Sequence, residues 1–181
     1  MDFKLVLEKI LAEFEKSNVH YALMGGFAMG LWGGSRSTID LDFLVYRDDM
    51  ERVHRVITDM GYERHQHTEN VSQYDSPLHK LGGVDFIHAF REASLEMIER
   101  AKTVEIFGGT FKIKTLIPED IIGLKLQAIY NNPEREVIDR PDIEALISGH
   151  GKEMDWSLLE RYFKLFEMEE WYKRLREVNK L

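Results

Sequence analysis

The most constraining feature of this chain is residues 24–45, Met-Gly-Gly-Phe-Ala-Met-Gly-Leu-Trp-Gly-Gly-Ser-Arg-Ser-Thr-Ile-Asp-Leu-Asp-Phe-Leu-Val. A short apolar segment, 19–24, is β-inclined and runs into Gly25-Gly26. Phe27 to Trp32 then suit a short helix. A strand–glycine–helix order aims free backbone N–H groups and a helix N-terminus at one spot, which suits phosphate. Past a loop at Gly33-Gly34-Ser35, the pattern predicts a strand from Ile39 to Tyr46. Its period of two puts Ile39, Leu41, Phe43 and Val45 on one face and Asp40, Asp42 and Leu44 on the other. Adjacent carboxylates on one face repel and resist burial, so something positive must offset them. Mg²⁺ is the natural candidate, a hard ion that takes carboxylate and phosphate oxygens together. Plainer alternatives stand beside both readings: a tight turn needing positive φ, and a solvent-facing edge strand with two harmless acids. The spacing fits neither the dinucleotide fingerprint nor a Walker loop.

The rest of the chain supplies candidates for the same chemistry. Residues 2–16 predict an amphipathic helix capped by Asp2, with Phe3, Leu7, Ile10, Leu11 and Phe14 inward. Asp48 or Asp49 caps a helix that Gly61 stops. Tyr62 to Gln66 suits a strand, and His65 and His67 read as surface histidines rather than metal ligands. Asn70 to His79 is a loop or weak strand. Leu81 to Ile87 turns into a strand carrying Asp85, either a third carboxylate for a metal or one exposed acid. Glu92 to Ala101 is helical, and a β-hairpin follows around Gly108-Gly109. Pro118-Glu119-Asp120 opens a helix to about Tyr130. Lys125 lies in its apolar region, either snorkelling or reaching a buried anion. A loop over 131–136 precedes a helix from Asp139 to near Ile147, and Gly149-His150-Gly151 punctuates the chain. Two further helices, 155–166 and 167–180, carry an aromatic inner face that reads as packing rather than a platform for bases.

Composition excludes several classes. The net charge of -8 disfavours tight binding to long nucleic acid while leaving a nucleotide or a tRNA end open. The absence of cysteine rules out a disulfide framework and a cysteine-based zinc site. No apolar run approaches the ~20 residues that span a bilayer. Met1-Asp2-Phe3-Lys4 lacks a signal-peptide pattern, so a cytoplasmic protein without membrane partners is expected. The 181 residues fit a domain over 1–150 and a helical extension over 151–181 packed on it.

Gly25-Gly26, nine intervening residues, then Arg36-x-Thr38-x-Asp40-Leu41-Asp42 resembles the polymerase β-like nucleotidyltransferase superfamily. Within it the chain looks most like small bacterial enzymes of the AbiEii and MenA toxin type. Lincosamide and aminoglycoside nucleotidyltransferases carry a related arrangement. Gly83-Val84-Asp85-Phe86 is similar to the strand of the family's third acid. The segment from Ile117 to Ala128 resembles the helix with its phosphate-binding lysine. Pro141 departs from the family's pattern in the segment Asp139-x-x-Asp142, and no Lys precedes Asp139.

The resemblance implies an α+β fold: a small mixed sheet flanked by helices, with a C-terminal helical extension. It implies transfer of a nucleoside monophosphate from an NTP to an acceptor hydroxyl, with release of pyrophosphate. Asp40, Asp42 and Asp85 would hold two Mg²⁺ ions, with Mn²⁺ as an alternative, and Asp85 would serve as general base. Gly25, Gly26, Ser35, Arg36, Thr38 and Lys125 would bind the nucleotide. The acceptor would be tRNA or protein, as for a toxin with an antitoxin partner, or a small molecule such as an antibiotic. A non-catalytic nucleotide-binding module of the same fold is the remaining alternative.

Overall fold

The computed structural model describes residues 1–34 and 38–179. The chain forms two compact units: Met1–Ala28 with Ser37–Leu116, and Met29–Arg36 with Ile117–Leu181. Residue 150, where the sequence places a boundary, lies within the second. Among the described residues no helix is long and apolar enough to cross a membrane.

The first unit opens with α1 (Phe3–Lys16), and the Asp2 carboxylate caps it by accepting the Leu5 N–H at 3.1 Å. A seven-stranded mixed sheet follows, as the α+β expectation requires. Its strands are β1 (Tyr21–Met24), β2 (Leu41–Tyr46), β3 (Glu63–His67), β4 (Val71–Asp75), β5 (Gly83–Ala89), β6 (Lys102–Ile106) and β7 (Phe111–Thr115). They lie in the order β3-β4-β5-β2-β1-β7-β6. β2 runs parallel to β5 and β1 parallel to β7, while the other neighbours are antiparallel. α3 (Met50–Asp59) and α4 (Glu92–Glu99) belong to this unit, and α2 (Gly25–Leu31) begins in it and ends in the other.

The core of this unit comes from the period of two. Leu41, Phe43 and Val45 of β2 are fully buried, and the parallel register sets Phe43 beside Phe86 of β5. These rings stack at 5.7 Å. Phe14 of α1 sits over them, 5.9 Å from Phe43 and 6.3 Å from Phe86, and Tyr74 meets Phe86 edge-on. Such offset and edge contacts add to the area buried.

Two local expectations need correcting. The strand expected from Ile39 begins at Leu41, and Ile39 is 73% exposed rather than part of the inner face. The cause is local: the Thr38 hydroxyl donates to the Asp40 carbonyl at 3.0 Å and accepts the Asp40 N–H at 3.4 Å, closing a turn that competes with the ladder. Asp49 does not cap α3. Its buried carboxylate turns to the His20 backbone N–H (2.6 Å), the His20 ring and Arg52. Burial opposes its ionisation, but these donors prevail and hold its pKa below the usual carboxylate range.

The second unit holds α5 (Pro118–Asn131), α6 (Glu136–His150), α7 (Trp156–Leu165) and α8 (Glu169–Asn179). α6 starts earlier than expected, at Glu136, and takes Pro141 into its interior. Proline there forfeits one helical hydrogen bond. Arg140 compensates with ion pairs one turn either way, to Glu136 and Glu144. α7 is capped by Asp155, whose carboxylate accepts from Ser157 and Leu158. It docks on α5 through the Tyr162 hydroxyl, which donates to Asp120 at 2.7 Å. The Tyr162 ring lies so close to Gly123 that a Cβ there would sit 2.9 Å from it.

Phe43→Ala is expected to cost about 3–5 kcal/mol, the range for deleting a buried aromatic ring. Urea unfolding followed by near-ultraviolet circular dichroism measures it.

Candidate active site

Sheet register brings the acids together more than their spacing along the chain does. β1 pairs Met24 with Asp42, β2 pairs Asp42 with Asp85, and β4 pairs Gln73 with Asp85. Residues paired this way share a face, so Met24, Asp42, Asp85 and Gln73 form one row across four strands. Gln73 Nε2 donates to Asp85 Oδ2 at 2.6 Å. Asp40 lies just before β2, in the bend that Thr38 closes, and its Oδ1 accepts the Gly83 N–H at 3.0 Å. Asp40 and Asp42 therefore do not share one face of a single strand, as the alternation suggested. Asp40 is held by the start of β5, and Asp42 by its place in the ladder.

The glycines are fitted to these side chains. Gly25 has φ +67°, so the tight-turn requirement is real. It also leaves no room: a Cβ on Gly25 would lie 2.0 Å from Asp42 Oδ2. On Gly26 it would lie 2.7 Å from Thr38 Cβ, and on Gly83 2.9 Å from Asp40 Oδ1 and 3.0 Å from Asp75 Oδ1. Each pairing joins a glycine to a residue distant in sequence, and together they place the Gly-Gly turn, Thr38, Asp40, Asp42 and Asp85 in one neighbourhood of the first unit.

Negative charge is concentrated here. Burial pushes the Asp85 pKa up, the Gln73 hydrogen bond only partly offsets this, and repulsion from Asp40 and Asp75 adds to it. Among the described residues no three His, Cys, Asp or Glu side chains are gathered closely enough to hold a metal ion by themselves. The donor set still suits Mg²⁺, which is bound through one or two carboxylates completed by substrate phosphates and water rather than by an all-protein cage. Asp42 and Asp85 present such a pair.

Of the other residues singled out from sequence, Ser35 and Arg36 lie outside the described residues. Lys125 belongs to the second unit. Of the two readings open for it, reaching a buried anion is the one found: its Nζ lies 2.8 Å from Asp139 and 2.7 Å from Asp142. Asp139 is fully buried. Burial would raise its pKa, but Lys125 and Arg135 outweigh that and hold it low. His65 pairs with Asp75 at 3.1 Å, and His67 Nδ1 lies 2.9 Å from Ser72 Oγ. Sequence reasoning gave the stretch of Gln73 and Asp75 as a loop or a weak strand facing the site, which is the strand found, but singled out neither residue. It also missed the contact role of Gly83, whose only signal was its place two residues before Asp85.

Residues 3–174 match a family described as uncharacterised nucleotidyltransferases. The chain belongs to that family. This nucleotidyltransferase matches no curated protein in sequence. Its fold is similar to the solution structure of the antibiotic-resistance factor ANT(2″)-Ia, with a TM-score of 0.67 and 16% identity over 96% of this chain and 99% of that one. A crystal structure of ANT(2″)-Ia in complex with adenylyl-2″-tobramycin gives 0.66 and 14% identity, over 91% and 97%. The lincomycin-bound lincosamide adenylyltransferase LnuA gives 0.56 and 17%, over 79% and 95%. At these identities the likeness is one of fold, and the fold is that of the polymerase β-like nucleotidyltransferases named by the motif.

The raised pKa of Asp85 sets a stability prediction. A carboxyl whose folded pKa exceeds its unfolded value contributes stability at low pH that is lost as pH rises through the folded pKa. Asp85→Asn keeps an acceptor for Gln73 and removes the charge. Its melting temperature should exceed that of the unmodified protein near neutral pH, with the gain vanishing below about pH 3, where the carboxyl is protonated in both states. Calorimetric melts across that range check the sign.

Proposed function

We propose that this nucleotidyltransferase moves a nucleoside monophosphate from an NTP to an acceptor hydroxyl in a Mg²⁺-dependent reaction. The observation that carries the reading is the alignment of Asp42 with Asp85 across β2 and β5, with the Gly25 backbone pressed against Asp42. Asp42 and Asp85 would hold the metal, with Asp40 beside them. When bound, Mg²⁺ would supply charge neutralisation at the phosphates and lower the pKa of a coordinated hydroxyl. Gly25, Gly26 and Thr38 would form the wall against which the triphosphate lies, and the family resemblance assigns Ser35 and Arg36 to the phosphates as well; the Lys125 it also assigns there is taken by Asp139 and Asp142. The acceptor oxygen attacks the α-phosphorus, the bond to the β-phosphate oxygen breaks, and pyrophosphate leaves. Asp85, the acid with the raised proton affinity, takes the acceptor's proton. Asp40 is anchored by the Gly83 N–H, and its repulsion adds to that affinity.

Two acceptor classes follow. A macromolecular hydroxyl, on tRNA or protein, matches the toxin-type motif and brings an antitoxin partner with it. A small polyhydroxylated molecule matches the tobramycin adduct of ANT(2″)-Ia. Incubation with each α-³²P-labelled NTP and Mg²⁺, in the presence of cellular RNA, protein extract or a panel of aminoglycosides and lincosamides, separates the classes by which species takes the label. Label in none of them, with nucleotide bound, would mean a binding module.

Asp42→Asn should lower transfer by roughly a thousandfold, the scale of losing a metal-binding carboxylate, while leaving the circular dichroism spectrum unchanged. Full activity in that variant would sink the assignment.

A further inference from the structure

The first unit has a second concave site, on the other face of the sheet from the acid row. Ser72 and Tyr74 flank Gln73 in β4, and His88 lies three residues beyond Asp85 in β5, so all three face away from Asp42 and Asp85. With α3, β3 and the turn after it, they line a pocket of about 380 Å³. The charged and titratable groups on it are Arg47, Glu51, His54, Arg64, His67, Glu69, Tyr74 and His88. Glu69 is paired with Arg47 at 3.1 Å, which leaves Arg64 and three histidines against Glu51.

The hydrogen bonds fix how these groups are polarised. His88 Nδ1 lies 2.9 Å from the Glu69 carbonyl, which can only accept, so Nδ1 carries the proton. His88 Nε2 must then accept from the Ser72 hydroxyl at 3.0 Å. With its proton committed, Ser72 Oγ accepts from His67 Nδ1 at 2.9 Å. The relay thus runs one way, from His67 through Ser72 to His88 and the Glu69 carbonyl. On the other side the Tyr74 hydroxyl lies 3.1 Å from His54 Nδ1. The pKa of His54 is pushed down by burial, then by the charges of Arg64 and His67; that of His88 falls by burial, then by His67 and Arg47, against the Glu69 carbonyl. The Arg64 guanidinium and the His54 and His67 rings share the pocket's wall.

We propose that this pocket binds a small phosphate-type anion, free or as a phosphate monoester, held by Arg64, His54 and His67. Acceptor oxygens of the anion bond the Arg64 guanidinium and the imidazole N–H groups. A long nucleic acid is a poor occupant given the net charge of -8.

The test is ¹⁵N-histidine NMR of the full chain at fixed pH and ionic strength, titrated in one arm with orthophosphate and in another with uridine 5′-monophosphate. The proposal expects saturable shifts at His54 and His67. Arg64→Gln, at an exposed position, should weaken binding roughly tenfold, and Asp42→Asn should leave it unchanged. Saturation by orthophosphate alone assigns the pocket to the free ion, and saturation by both assigns it to the monoester class. Shifts reproduced by sodium chloride, or an undiminished response in Arg64→Gln, would overturn the proposal. So would shifts confined to His65, which pairs with Asp75 beside the acid row.

Discussion

The parallel pairing of β2 with β5 is the constraint on which the first unit depends. One register satisfies two opposite demands. On the inner face it stacks Phe43 on Phe86 beneath Phe14, burying aromatic surface that favours the fold. On the outer face the same register sets Asp42 beside Asp85, which electrostatics disfavours. A slip by one residue would exchange the faces and put carboxylates in the core, so the apolar side enforces the charged side. The cost of gathering acids is met by packing on the opposite face of the same two strands.

Much of this was legible in the sequence. Alternation marked β2 and β5, the glycine pair marked the turn out of β1, and the ordered Gly-Gly, Asp-x-Asp and Gly-x-Asp segments pointed to the fold. The unread parts depended on partners far away in the chain. Thr38 bends the backbone at Asp40, so the regular alternation stops one pair early and Ile39 faces solvent. Asp49 had the position of a helix cap, but His20 and Arg52 claimed its carboxylate. Gln73 gave no signal because only the β4–β5 register brings it to Asp85. α6 begins early, takes Pro141 into its interior and carries Arg140 pairs to Glu136 and Glu144.

The second unit solves a different problem with the same economy of charge. Lys125 on α5 reaches two carboxylates of α6, and Arg135 meets one of them from the turn before. A fully buried Asp139 is tolerable only because two cations converge on it. The apolar cover of α5 is interrupted by Glu119, Asp120 and Lys125, and Lys125 joins it to α6.

The fit of Gly25 against Asp42 has a consequence for how such a chain can diverge. No side chain fits at 25 while Asp42 is present, and the backbone there is left-handed as well. Shortening residue 42 first would relieve the crowding but not the backbone demand. Single steps away from this pair are therefore blocked from both sides. Lineages that keep the reaction should hold both positions fixed, and those that abandon it should lose Asp42 before Gly25. The order of decay would then be written in the sequences of their descendants.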